Sequence, residues 1–213
     1  MRLIGVMLVC VGCHGGGSMQ PDSKIEPDGP APSFGMSVTW DADPALPGSV
    51  TDKVAVTVAS FQIDHLQLLS DAGADEHTTR SSYQLRWDSH TTPPKETFPD
   101  APVAVYQRIS LDVRPGFQAP FAYEIDGTWR DSGDDPKPFK IIDTMALSIP
   151  IDCSVALPVG GMGSVAIGVD LRDALNNVDF THMNEQNGVL VLAGGPELMD
   201  FHNRLARAFK LDD

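Results

Sequence analysis

The sequence predicts a mainly β fold, an antiparallel β-sandwich with a C-terminal α-helix packed on it. Three observations lead there. From Phe34 onward apolar side chains recur at every second position, clusters of Pro, Gly and Asp separate these runs, and the clearest stripe at helical spacing lies near the end of the chain.

The runs can be taken in order. In "KVAVTVASFQIDHLQLL", Val54, Val56 and Val58 occupy even positions, Phe61 and Ile63 odd ones, and Leu66 and Leu68 even ones again. Each change of parity predicts a bulge, or a strand crossing between sheets. "SYQLRW" is a further candidate strand, followed by the proline-bearing loop "DSHTTPPKETFPDAP". In "VAVYQRISLDV", Val103, Val105, Ile109, Leu111 and Val113 share one face, and Tyr106, Arg108, Ser110 and Asp112 the other; Gln107 is the exception on the apolar face. "FAYEIDGTW" and "SVAIGVDL" read as strands. "IIDTMALSIPIDCSVAL" alternates from Ile141 to Leu157, and Pro150 within it implies an edge position or a bend. "LRDALNN" suits one or two helical turns. In "GGPELMDFHNRLARAFK", Leu198, Phe201, Leu205 and Phe209 recur at helical spacing, with Pro196 at the first helical position, Glu197 near the positive end and Lys210 near the negative end.

The first residues have a different character. Leu3 to Val11 is apolar apart from Gly5 and follows Arg2, the charge order of a secretory signal. The run is too short to span a bilayer, which takes about 20 apolar residues. Gly12-Cys13 after it resembles the lipobox of bacterial lipoproteins, and that resemblance implies residues 1–12 as signal peptide, Cys13 as the lipid-modified residue and attachment to the lipid bilayer through it. His14 follows the cysteine where Asp is associated with inner-membrane retention, so the resemblance implies the outer membrane. Residues 13–33 read as a flexible tether, since 14–33 hold four Gly, four Pro and three Ser, and residues 34–213 as a single domain. With Cys10 discarded and Cys13 acylated, Cys153 is left without a partner for an intrachain disulfide, and its place in an apolar run predicts a small buried residue.

A formal charge of −14 argues against nucleic acid as a partner. "GGMGSVA" sets Gly161, Gly163 and Ala166 at the spacing of a dinucleotide fingerprint, but no helical pattern follows, and a hairpin turn is the better reading. The acidic run with Asp126, Asp131, Asp134 and Asp135 lacks the ligand order of a calcium loop and reads as a solvated loop. Of His65, His77, His90, His182 and His202, none has the spacing of a zinc motif. His182 beside Met183 would suit copper if further ligands converged there. Trp87 and Trp129 border the loops 88–102 and 126–138 and are candidates for stacking on a sugar or partner, with the core as the alternative for both. No catalytic constellation emerges, so an enzyme is not expected, and no cofactor is expected.

Taken together, "VAVTVASFQIDHLQLL", "PVAVYQRISLDV", "VAIGVDLRDALNNVDF" and "NRLARAF" after a lipoprotein-type leader resemble envelope lipoproteins of uncharacterised function with an immunoglobulin- or transthyretin-like sandwich. More distantly they resemble periplasmic copper-associated proteins linked to methanobactin. The resemblance implies a noncatalytic binding or scaffold module tethered at the cell envelope, with an envelope protein or glycan as its partner. The alternative it implies is a periplasmic copper-binding protein.

Overall fold

The computed structural model describes residues 35–71, 78–116, 119–133 and 135–212. Cys13, the leader and the tether lie outside the described residues, as do His77 and Asp134. In chain order the strands are β1 (Gly35–Ala42), β2 (Gly48–Ser49), β3 (Val54–Ser70), β4 (Thr79–Trp87), β5 (Glu96–Phe98), β6 (Ala104–Val113) and β7 (Tyr123–Trp129). Then come β8 (Lys137–Asp143), β9 (Leu147–Leu157), β10 (Met162–Val169), helix α1 (Arg172–Asn176) and a 3-10 turn (Phe180–His182). The chain ends in β11 (Asn184–Gln186), β12 (Val189–Leu192), helix α2 (Pro196–Leu205) and β13 (Phe209–Leu211).

The protein is mainly β, and the strands of the described residues form two sheets. One has the order β13-β10-β1-β5, and the other β11-β12-β8-β7-β3-β6-β9, with β2 and β4 also paired to β3. The sequence predicts antiparallel pairing, and two pairs depart from it. β1 runs parallel to β10, with Gly35 opposite Met162 and Ala42 opposite Val169, and β12 runs parallel to β8. Parallel neighbours need a long crossover, and here the connections pass through the other sheet's strands or through α1. Period-two patterning marks strands but carries no direction, which is why the sequence did not show these pairs.

β3 organises the larger sheet, and its irregularities fall where the parity changes. Its register against β7 slips between Val56 and Val58, and its register against β6 slips between Ile63 and His65. A bulge inserts one residue and reverses the inward face. Val54 and Val56, then Ala59, Phe61 and Ile63, then Leu66 and Leu68 are accordingly all buried. Gly127 faces the first slip, where a Cβ would lie 2.2 Å from the Ala55 carbonyl oxygen and 2.7 Å from the Phe139 ring.

β6 departs from the expected faces. A third slip, against β3, falls where Leu69 faces Arg108 and Ser70 faces Tyr106, so that Gln107 is the extra residue. Tyr106 is therefore buried, its hydroxyl donating to the Pro102 carbonyl at 2.7 Å, while Val103 and Val105 are exposed. β9 alternates as expected and lies at a sheet edge, where Pro150 costs no ladder bond.

The turn through Gly161 and Gly163 is not a hairpin: β9 pairs with β6 and β10 with β1, so the turn carries the chain from one sheet to the other. The segment after Gly163 is strand, not the helix a dinucleotide site requires. α2 begins at Pro196 as expected but ends at Leu205, and Phe209 belongs to β13. Pairing of Phe209 with Val169 of β10 supplies backbone bonds that a continued helix would have made internally. Leu198, Phe201 and Leu205 of α2 are buried, and the Phe209 ring meets Phe61 edge-on at 5.2 Å, so side chains of both sheets and of the helix share one hydrophobic cluster. Full burial of each such aromatic is worth about 2–3 kcal/mol.

Candidate functional site

A cleft of about 590 Å³ is built from three distant segments: the turn 50–54, the end of β7 at Trp129, and α1 with the stretch to Thr181. The first segment folds locally around Thr51. Its hydroxyl accepts from the Lys53 and Val54 amides at 3.2 and 3.0 Å, while the Val54 carbonyl accepts from Val50 and Thr51 at 2.9 and 3.1 Å. Lys53 Nζ then reaches Asp131 at 3.2 Å on the rim.

On the opposite side Arg172 is fixed at the start of α1. Its guanidinium donates to Asp170 at 2.9 and 2.8 Å and to Asp43 at 3.0 Å. The Arg172 hydrogen bond holds the Asp170 carboxyl down to about 2, and the same pairing pushes Arg172 upward. Asp179 caps the 3-10 turn: its Oδ1 accepts from the Thr181 amide at 3.1 Å and the Thr181 hydroxyl at 2.6 Å. Its Oδ2 lies 2.7 Å from His182 Nδ1. Hydrogen bonds from Thr181, then from His182, lower the Asp179 pKa. The aromatic wall is Trp129 stacked on Phe180, centroids 5.5 Å apart and planes at 14°, with Phe180 in turn tilted against Phe139 at 5.0 Å.

The two tryptophans separate. Trp87 is buried at 4% exposure and meets Phe61 edge-on, so it is a core anchor with no face left for a ligand. Trp129 is half-buried and lines the cleft, but Phe180 covers one ring face. Of the two loops that the tryptophans border, 126–138 reaches the cleft through Trp129, whereas no residue of 88–102 lines it. Thr51, Arg172, Asn176 and Asp179 went unread in the sequence. The spacing of Asp179 and Thr181 is a capping signal, but only the fold brings 50–54 and 172–181 together.

His182 and Met183 both line a smaller cavity of about 190 Å³, which shares Val178 and Asp179 with the cleft. Among the described residues no group of three His, Cys, Asp or Glu side chains could hold a metal ion. His65 lies 2.8 Å from Asp64, His90 is exposed, and His202 is buried. The acidic run does not converge either. Asp126 lies within β7 rather than in a loop and shares Lys140 with Glu124, while Asp131 turns to Lys53. Cys153 is half-buried rather than buried; its thiol donates to the Tyr106 carbonyl at 3.4 Å, and burial followed by Asp152 pushes its pKa up, away from a reactive thiolate.

The buried polar centre of the molecule is elsewhere. The Asp143 carboxylate, 3% exposed, accepts from the Tyr123 hydroxyl at 2.9 Å and the Met145 amide at 2.8 Å, and lies 2.8 Å from His202 Nδ1 of α2. Burial, then Asp143, pushes the Tyr123 pKa up, so this tyrosine stays a donor. Compared with protein-family models, curated proteins and solved structures, the chain matches none.

Proposed function

We propose that this chain is a membrane-tethered, noncatalytic binding module at the bacterial cell envelope, its two sheets packed as a sandwich and its ligand site the cleft beside Trp129. The cleft carries the reading. Its volume of about 590 Å³ suits a molecule of a few rings, and a half-exposed tryptophan bordered by Thr51, Arg172, Asn176 and Asp179 offers stacking and hydrogen bonding together, the combination a glycan uses. The noncatalytic part rests on how these groups are employed: the Thr51 hydroxyl, the Arg172 guanidinium and the Asp179 carboxylate are all engaged by the protein's own groups.

The tether rests on the Gly12-Cys13 leader. It is supported by an apolar rim, exposed Val103, Val105, Val159 and Met162, at the end of the domain where the described chain begins at Gly35, opposite Met162. Incorporation of radiolabelled fatty acid that is lost in Cys13→Ala is expected; equal anchoring of both forms would remove the tether. For the site, a glycan array probed with the parent and an Arg172→Ala/Asn176→Ala variant should show binding by the parent alone. Retention of every interaction by the variant would move the site away from the cleft.

A second reading is copper binding at His182 and Met183, favoured by one observation: Asp179 occupies His182 Nδ1, leaving Nε2 to face a ligand in a cavity that Met183 also lines. Copper(I) titration of parent and His182→Ala separates the readings, because only the copper site predicts stoichiometric uptake that the substitution abolishes.

A further inference from the structure

Among the described residues the exposed large apolar side chains are Val103, Val105, Val159, Met162 and Met199. The first four gather at one end of the domain although they come from separate segments. At the start of β6, Ala104 and Val105 face Leu157 and Ala156 at the end of β9. The turn beyond β9 carries Val159 and leads to Met162, which faces Gly35 at the start of β1, and the Gly35 amide donates to the Gly161 carbonyl at 3.3 Å. On its other side Gly35 lies so near Phe98 that a Cβ would strike the Phe98 carbonyl oxygen. The Ala101 amide donates to that same oxygen at 3.2 Å, which brings the approach to Val103 alongside. Met199, by contrast, belongs to α2.

Exposed apolar residues scattered singly need no explanation, but a cluster marks a contact surface. Charge says what kind of surface it meets. No Asp, Glu, Lys or Arg occurs in 35–40, 101–107 or 153–169, although the chain holds 29 acidic and 15 basic residues. Charged groups resume at Arg108 and Asp152, which pair at 3.2 Å, and exposed Asp100 adds a negative charge beside the rim. An apolar rim with a carboxylate and no basic residue in these stretches suits a neutral headgroup layer rather than an anionic one.

Where the chain enters selects the bilayer over a second copy as the cover. Cys13, the residue acylated in the tether reading, precedes Gly35 by 22 residues, a length of no more than about 80 Å at full extension. An anchor that close keeps lipid at high effective concentration beside this end, so a patch too small to bind membrane alone suffices.

The strands give the contact a direction. β1 and β10 each run eight residues from this end, side by side and parallel, and finish at the cleft. There the Asp43 amide donates to the Val169 carbonyl at 3.2 Å, and Arg172 of the cleft wall donates to Asp43 at 3.0 Å. Resting on the tether proposed above, we infer that the end carrying Val103, Val105, Val159 and Met162 seats in the headgroup region of a zwitterionic bilayer and holds the cleft roughly 25 Å away, facing the aqueous side.

The test uses the full chain on phosphatidylcholine vesicles with bromine in the upper acyl chains, comparing Val159→Trp with Met199→Trp after subtraction of the parent emission. The Val159→Trp signal is expected to be quenched about threefold more strongly, since interfacial side chains sit about 5–10 Å into the headgroup boundary. Adding Val103→Asp and Met162→Asp, both at exposed positions, should bring it down to the Met199→Trp level, and phosphatidylglycerol in place of half the lipid should weaken it. Equal quenching at the two positions, quenching indifferent to the added charges, or stronger quenching on phosphatidylglycerol would overturn the assignment. So would an unquenched Val159→Trp in a protein that sediments as a dimer which Met162→Asp dissolves, because a second copy would then cover this end. Flotation with the vesicles reports the tether separately. Protein that floats without the two-position contrast keeps the tether and loses the docking; protein that does not float loses the tether, and the contrast measured in excess vesicles still decides the docking.

Discussion

Asp143 and Asp179 are held by matching partners in opposite surroundings. Each accepts from a hydroxyl and from a backbone amide two residues ahead, and each lies against a histidine Nδ1: Tyr123, Met145 and His202 for the first, Thr181 for both bonds and His182 for the second. The side chain of Asp143 is 2% exposed and that of Asp179 is 54% exposed. Their partners also differ in reach: His202 is 59 residues from Asp143, while His182 is three from Asp179. The buried set joins β7, β8 and α2, and the exposed set closes one local turn. Matching bonds therefore serve the whole fold in one place and the edge of the cleft in the other, with burial making the difference.

That contrast is open to experiment. Asp143→Ala should cost about 3–5 kcal/mol in chemical denaturation, because it strands the partners of a buried charge; a loss below about 1 kcal/mol would erase the distinction between the two carboxylates. Tyr123→Phe keeps the ring and removes one bond to a charged acceptor, for an expected loss of about 2 kcal/mol. Asp170, held down to about 2 by Arg172, contributes stability that is complete above its unfolded value near 3.8 and is lost as pH falls from there through about 2. With solvent screening this loss is about 1 kcal/mol or less, and Arg172→Ala should abolish it in a pH series of denaturation midpoints. The smallest effect belongs to Asp179→Ala, which should leave the melting temperature close to the parent's while shifting the Thr181 amide resonance, since only the local cap is lost.

Much of the β architecture was legible because burial imposes a period. The parity changes at Val58–Phe61 and Ile63–Leu66 are two of the slips observed in β3, and Gln107 marked the third, although it was read as an isolated exception. Tyr106 was placed on the wrong face for that reason: a bulge at Gln107 reverses the inward side, and the sequence alone cannot say on which side of the bulge the alternation holds. The parallel pairs and the last strand were not legible, because Phe209 continues a helical stripe in sequence and only hydrogen bonding to Val169 makes it strand. The cleft was legible through Trp129 alone, and the buried centre was not legible at all. Asp143 and His202 sit in segments whose patterns are satisfied without reference to each other.

The pairing of β1 with β10 bears on how the chain reaches this state. Residues 35–42 are made early and their ladder partners 162–169 late, so the amino-terminal strand must wait for the carboxyl-terminal half to leave the ribosome. Loop-closure entropy must be overcome before such a distant contact rewards the chain, and topologies of this kind fold slowly. Until residues 162–169 have been made, β1 lacks its parallel partner, and the edge it offers stays open to pairing with other strands.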